Sequence, residues 1–168
     1  VKTRSQGWKL RGVDEPLMEL EKAGYNSLYA YRFDWDDQSS SIFADFPNLI
    51  GAAHGFEIAF ITGDFRFGPI GRFVYPKGEL RNQMKDTMMQ AWTSFAKTGI
   101  PNAGKSQEWK RFNSKDRVFM KLDSDEYLSI DKEMLSLEFI MENVRLSPVG
   151  TLLEKCLLVQ ETFFNIGD

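Results

Sequence analysis

The sequence predicts an α/β layer protein, and three observations carry that prediction. An amphipathic helical pattern over residues 14–23 is followed after a few positions by a β-rich run at 28–33. A longer helical pattern over 80–97 is followed by two short strand patterns, 118–122 and 127–130. Helices alternating with strands in this way build layers of helix against sheet. The 168 residues show no repeat, no low-complexity tract and no second-domain linker, so one domain with its own core is expected.

Each element has a local justification. Pro16 suits the first turn of the 14–23 helix; Leu17, Leu20 and Ala23 share a face, and Gly24 closes it. In the 28–33 strand, Tyr29, Tyr31 and Phe33 point one way and Leu28, Ala30 and Arg32 the other. Residues 34–49 are polar, then broken by Phe and Pro, with Ser39, Ser40 and Ser41 at their middle. They read as a long loop, a kind that tends to carry function. A Gly- and Pro-punctuated connection covers 64–78. In the 80–97 helix, Leu80, Met84, Met88, Ala91, Trp92 and Phe95 form one apolar stripe, and Gly99 and Pro101 end it. That stripe reads as core packing rather than a cofactor box. Residues 102–116 form a polar loop around Trp109, and a turn near 123–125 joins the last two strands. Two helices finish the chain: one over 135–144, the other starting at Ser147 as N-cap with Pro148 behind it.

Composition excludes several functions. The net charge is -3, with 21 basic and 24 acidic residues interleaved, which is no nucleic-acid-binding surface. No run of 18 apolar residues occurs, so no membrane span is expected. Cys156 is alone and cannot form an internal disulfide; with a single histidine in the chain it cannot build a zinc site either. A small buried apolar residue is the expectation for Cys156. Neither a metal nor another cofactor is expected. The Asp34, Asp36, Asp37 cluster fails the calcium-loop pattern, because Gln38 and Ser39 stand where an acid and a glycine belong. Gly68-Pro69-Ile70-Gly71 lacks the strand-then-helix context of a phosphate loop and reads as a turn.

His54 stands out as the candidate for chemistry. It lies between Ala53 and Gly55, at the end of a long loop and ahead of an apolar run. Small neighbours let a ligand or another segment approach the ring closely. An imidazole there can act as a general base near neutral pH. A base needs a nucleophile to activate and a third group to orient it. The chain has no G-x-S-x-G elbow, and Ser5, Ser27, Ser94 and Ser106 lack the flanking glycines. The carboxylates nearest His54 in sequence are Asp45 and Glu57, and neither spacing establishes a triad.

Several blocks, taken in order, resemble one family. The run YAYRFDW at 29–35, the segment GAAHGFEIAF at 51–60 and the stretch MMQAWTSFAKTGIPN at 88–102 are similar to the corresponding blocks of type-B carboxylesterases, the cholinesterase relatives. Trp109 falls where that family has a W-P-x-Y segment. The resemblance covers about residues 8–125, and the histidine block is its most specific part. It implies an α/β-hydrolase fold, with this chain as the C-terminal part of a single domain spanning 1–168 here. It implies a serine ester hydrolase working through an acyl-enzyme, with His54 as the catalytic histidine. Gly55 then matches the glycine after it, and Glu57 the glutamate that supports the site from behind. The serine elbow and the acid lie upstream in the family and are not in this chain. Activity would therefore need the N-terminal portion of the same enzyme as partner, with a small-molecule ester as substrate. A non-catalytic binding or adhesion relative of the same fold is the alternative. Ala59 stands where the family has proline, which predicts a less rigid turn after Glu57 and Ile58.

Overall fold

A computed structural model describes residues 2–104, 108–124 and 129–163. Ser106, the turn residue Asp125 and the strand residues Tyr127 and Leu128 lie outside the described residues. In chain order the elements are α1 (Lys2–Lys9), α2 (Glu15–Lys22), β1 (Tyr31–Phe33), α3 (Phe46–Leu49), α4 (Glu57–Thr62), α5 (Gly71–Val74), α6 (Glu79–Thr98), β2 (Val118–Leu122), β3 (Ser129–Lys132), α7 (Leu137–Leu146) and α8 (Leu152–Phe163). They fall into two compact units, one containing α1, α2, α7 and α8, the other residues 29–111 and 118–131.

In the first unit, α1 runs through a π-helical stretch, Leu10–Asp14, into α2, so the helix begins well before residue 14. The sequence reading missed α1 because KTRSQGWK has no apolar stripe; only Gly7 is buried there. A small core of Leu10, Leu135, Ile140 and Phe163 sits with a buried carboxylate, Asp14. Lys9 Nζ donates to both Asp14 oxygens, at 3.0 and 2.8 Å, and to the Glu133 carbonyl at 3.2 Å. Arg117 Nη1 lies 3.6 Å from Asp14 and donates to the Leu135 carbonyl at 2.6 Å. Gly24 ends α2 as expected, with φ +92°, and Tyr25 N–H returns to the Leu20 carbonyl at 3.1 Å. The predicted apolar face of α2 is only partly covered: Leu17 is half-buried, Leu20 is exposed, and no residue of that helix is fully buried.

The last helix starts later than expected. Ser147 ends α7 as its C-cap, and α8 opens on a capping box at Thr151. Glu154 N–H donates to Thr151 Oγ1 at 3.3 Å, while Thr151 N–H donates to Glu154 Oε2 at 2.7 Å. Two donors satisfied reciprocally outcompete a Ser-Pro start four residues earlier. Cys156 is exposed, not buried. Leu152, Leu153 and Leu157 are exposed with it, because α8 buries only Thr162 and Phe163, at its C-terminal end.

The second unit holds the sheet, in the order β1-β2-β3. The 28–33 strand pairs over only three residues: β1 runs parallel to β2 with Tyr31 opposite Met120 and Phe33 opposite Leu122. Met120 N–H donates to the Ala30 carbonyl at 3.0 Å and Asp34 N–H to the Leu122 carbonyl at 2.8 Å, extending the ladder at both ends. The 118–122 strand has the expected bounds, and the described part of the last strand, β3, lies at 129–132. Helix α6 also follows its expectation. Met84, Met88 and Ala91 of its stripe are fully buried, while Leu80 and Phe95 are exposed. Gly99 closes α6 with φ +71°, its N–H on the Phe95 carbonyl at 2.7 Å. Around Met84 and Met88 gather Trp35, Phe60, Met120 and Leu122, all buried. Each such side chain contributes about 1.5–3 kcal/mol by leaving water. Trp109, held in its polar loop by sequence, is buried, with its indole N–H donating to the Ala30 carbonyl at 3.0 Å.

Candidate active site

The route to His54 starts at the end of β1. Arg32 grips Asp34 with two nitrogens, both at 2.8 Å, and Lys121 Nζ lies 3.7 Å from the same carboxylate. Asp34 is thus an ion-pairing residue rather than part of a cation loop. Among the described residues no group of three or more His, Cys, Asp or Glu is arranged to hold a metal ion. Trp35 then buries its ring against Phe60. Gln38 is buried as well, and its Nε2 donates to the Gly51 carbonyl at 2.9 Å. The expected long loop is therefore tied down at its far end. Asp45 accepts from Asn48 N–H at 3.4 Å and caps the short α3, inside the stretch whose pattern predicts loop throughout.

From Gly51 the backbone turns twice. Ala53 N–H donates to the Gly51 carbonyl at 2.9 Å, and Phe56 N–H donates to the Ala53 carbonyl at 3.3 Å. The second bond closes a four-residue turn with His54 and Gly55 at its centre. Gly55 has φ +86°, which a type II turn demands at its third position. A Cβ built on Gly55 would meet nothing within 4 Å. The glycine is therefore required by backbone conformation, not by close approach of another group. His54 occupies the second position, exposed at the surface of its unit.

Glu57 is the first residue of α4 and is half-buried, where its charge suits the helix N-terminus. Ala59 lies inside α4 and is buried, so the expected loosening of a turn does not arise: the segment is helical and ends at Gly63 with φ +73°. Two phenols sense the Glu57 carboxylate. Burial first, and then Glu57, raises the pKa of Tyr31, and the same two causes push that of Tyr75 up to about 12. The Tyr75 hydroxyl donates to the Phe56 carbonyl at 3.2 Å. Neither Gln38 nor Tyr75 was singled out from sequence. Gln38 had only its place in a long loop to mark it, and Tyr75 had no local signal.

Ser94, which lacks the glycines of a nucleophile elbow, has a structural place instead. Ser94 Oγ donates to the Ala91 carbonyl at 2.9 Å and accepts from Asn102 N–H at 2.7 Å, bracing the end of α6. Gly68–Ile70, expected as a turn, is a single 3-10 turn leading into α5.

A family model described as the carboxylesterase family matches residues 15–139, about three quarters of the chain, and that span contains the whole His54 turn. The chain belongs to the carboxylesterase family. Membership makes its fold class that of the α/β-hydrolases. This carboxylesterase-family chain is 40% identical over 80 residues to carboxylesterase 4A of Bos taurus, covering 46% of this chain and 13% of that protein. It is 29% identical over 112 residues to para-nitrobenzyl esterase of Bacillus subtilis (strain 168), covering 65% of this chain and 20% of the relative. Among solved structures, a PNB esterase superposes with a TM-score of 0.46 at 25% identity, over 62% of this chain and 18% of that one. The chain spans at most about a fifth of the length of these relatives. Among the described residues no helix is long and apolar enough to cross a membrane.

Proposed function

We propose that this chain is the C-terminal part of a single α/β-hydrolase domain and supplies the catalytic histidine of a carboxylic ester hydrolase. A nucleophilic serine and an acid come from the N-terminal portion of the same enzyme. His54 takes the proton of that serine as its oxygen attacks the ester carbonyl carbon. The resulting imidazolium gives the proton to the leaving alkoxide, so the C–O bond breaks and an acyl-enzyme remains. Water then attacks with His54 again as base, and the acid and the serine are released. Gly55 supports this by letting the turn form, and Glu57 by orienting the site from the first turn of α4 without transferring the proton itself. The substrate class is a small-molecule carboxylic ester, and no cofactor takes part.

One observation carries the reading. The chain's single histidine lies within the family-matched span and stands exposed on a turn whose backbone is tied on both sides. A packed structural histidine would be buried instead. The test is His54→Ala in the full-length enzyme, assayed on a short-chain p-nitrophenyl ester. We expect kcat to fall on the order of 10⁴-fold, with substrate binding little changed. A folded variant with near-normal kcat removes His54 from the chemistry.

A further inference from the structure

Tyr75 follows α5 and is only 3% exposed. Its ring is surrounded by Phe56, Phe60, Phe65 and Phe67, with centroids 5.3 to 6.0 Å away. In such surroundings a phenylalanine would pack as well, so the hydroxyl is the feature that calls for a reason. A buried phenol needs a hydrogen-bond partner, and this one has chosen the carbonyl of Phe56. Phe56 closes the His54 turn: its N–H is the group held by Ala53, and it is the N-cap of α4. The same residue is therefore pinned through its amide by the turn and through its carbonyl by Tyr75.

The turn needs the second anchor. Its own bonds are long, Phe56 N–H to the Ala53 carbonyl at 3.3 Å and Ile58 N–H to the Gly55 carbonyl at 3.4 Å, so the peptide planes on either side of a glycine at positive φ are only weakly held. If either plane rotates, His54 swings with it.

We propose that Tyr75 is a positioning residue, whose hydroxyl acts through the Phe56 carbonyl to keep the His54 turn in one conformation. Its catalytic consequence rests on the reading of His54 as the base; its structural consequence does not. Because burial and the Glu57 charge keep the phenol protonated up to about 12, the hydroxyl remains a donor throughout any ordinary assay range.

The test is Tyr75→Phe, which deletes one oxygen and keeps the ring. In the full-length enzyme with labelled histidine, the Cε1–H cross-peak of His54 in a proton–carbon correlation spectrum is assigned as the one lost in His54→Gln. We expect that peak to shift and broaden in Tyr75→Phe, with the melting temperature nearly unchanged. Phe65→Leu, which trims the same ring cluster without touching the hydrogen bond, should lower the melting temperature and leave the peak in place. A Tyr75→Phe peak superimposed on the parent peak overturns the proposal. So does a parent peak at the random-coil position, since the turn would then not exist. In the full-length enzyme, Tyr75→Phe should lower kcat roughly 3–10-fold at unchanged KM, the loss of about one hydrogen bond. Full turnover in His54→Ala would sink the reading of the site and leave the spectroscopic result standing. An inactive His54→Ala beside a fully active Tyr75→Phe would sink the proposal alone.

Discussion

Gly55 offers a perturbation whose magnitude can be worked out before the experiment. Its φ is +86°, and a Cβ added there meets nothing within 4 Å. Replacing it by alanine therefore introduces no clash, only the cost of holding an L-residue in the left-handed region, about 1–2 kcal/mol. Two responses are open to the chain. If the strained turn were locked to the rest of the fold, the cost would appear globally, as a fall of about 2–8 °C in melting temperature. The turn is exposed at Ala52 and His54, so it can flip locally while α4 stays folded. The local response is the expected one, and 1–2 kcal/mol shifts a two-state equilibrium by a factor of roughly 5–30. Ester turnover by the full-length Gly55→Ala enzyme should fall by up to that factor, with the melting temperature down by less than about 3 °C. Asn tolerates positive φ better, so Gly55→Asn should keep most of the turnover, whereas the β-branched Gly55→Val should lose more than alanine does. Equal losses for Asn, Ala and Val would refute the conformational argument, because they would mean that side-chain volume decides. Unchanged turnover in Gly55→Val would refute it from the other side.

Two further predictions concern the first unit. Burial outweighs the attraction of Lys9 and Arg117 at Asp14, so its carboxyl is raised above the ordinary 3.8 in the folded state. A raised carboxyl lends stability below the unfolded value and loses it as pH rises through the folded value. The melting temperature of Asp14→Asn minus that of the parent should therefore increase as pH climbs above 3.8; a decrease over that range would show the pair to be net stabilising to the charge. Gly7 packs its α-carbon against the Thr162 methyl, so Gly7→Ala forces the two together. Despite the better helix propensity of alanine, worth about 1 kcal/mol, it should destabilise by about 1–3 kcal/mol in urea melts. Adding Thr162→Ala removes the clashing methyl, together with a buried hydroxyl that has no hydrogen-bond partner, and should restore the loss; an additive double variant would disprove the contact.

The elements that were legible in the sequence are those whose pattern and burial coincide. Helix α6 and strand β2 carry apolar residues at helical and strand spacing, and those residues form the core. Helix α1 was illegible because nothing on it but a glycine is buried, so no apolar stripe exists to be read. The start of α8 was misplaced because two capping signals lie four residues apart and the reciprocal one wins. At the site, the small residues beside His54 read as room for close approach, whereas Gly55 has open space around it and serves a positive φ instead. The anchors of that turn were hidden. Gln38 reaches Gly51 across 13 positions and Tyr75 reaches Phe56 across 19, and both contacts exist only once the chain has folded back on itself.

The parallel pairing of β1 with β2 also has a consequence for the order in which the protein is made. Tyr31 and its partner Met120 are about ninety residues apart in the chain, whereas α4 and α6 pack within a much shorter stretch. At roughly 5–20 residues per second, a ribosome that has finished β1 needs about 4–18 s more to reach its partner strand. During that interval the backbone edge of Tyr31–Phe33 is unpaired on that side and carries aromatic side chains. Such an edge is a template for the wrong strand. The core around Met84, Met88 and Phe60 is encoded almost entirely before β2, so it can condense on β1 first and shield one face of it while the edge waits.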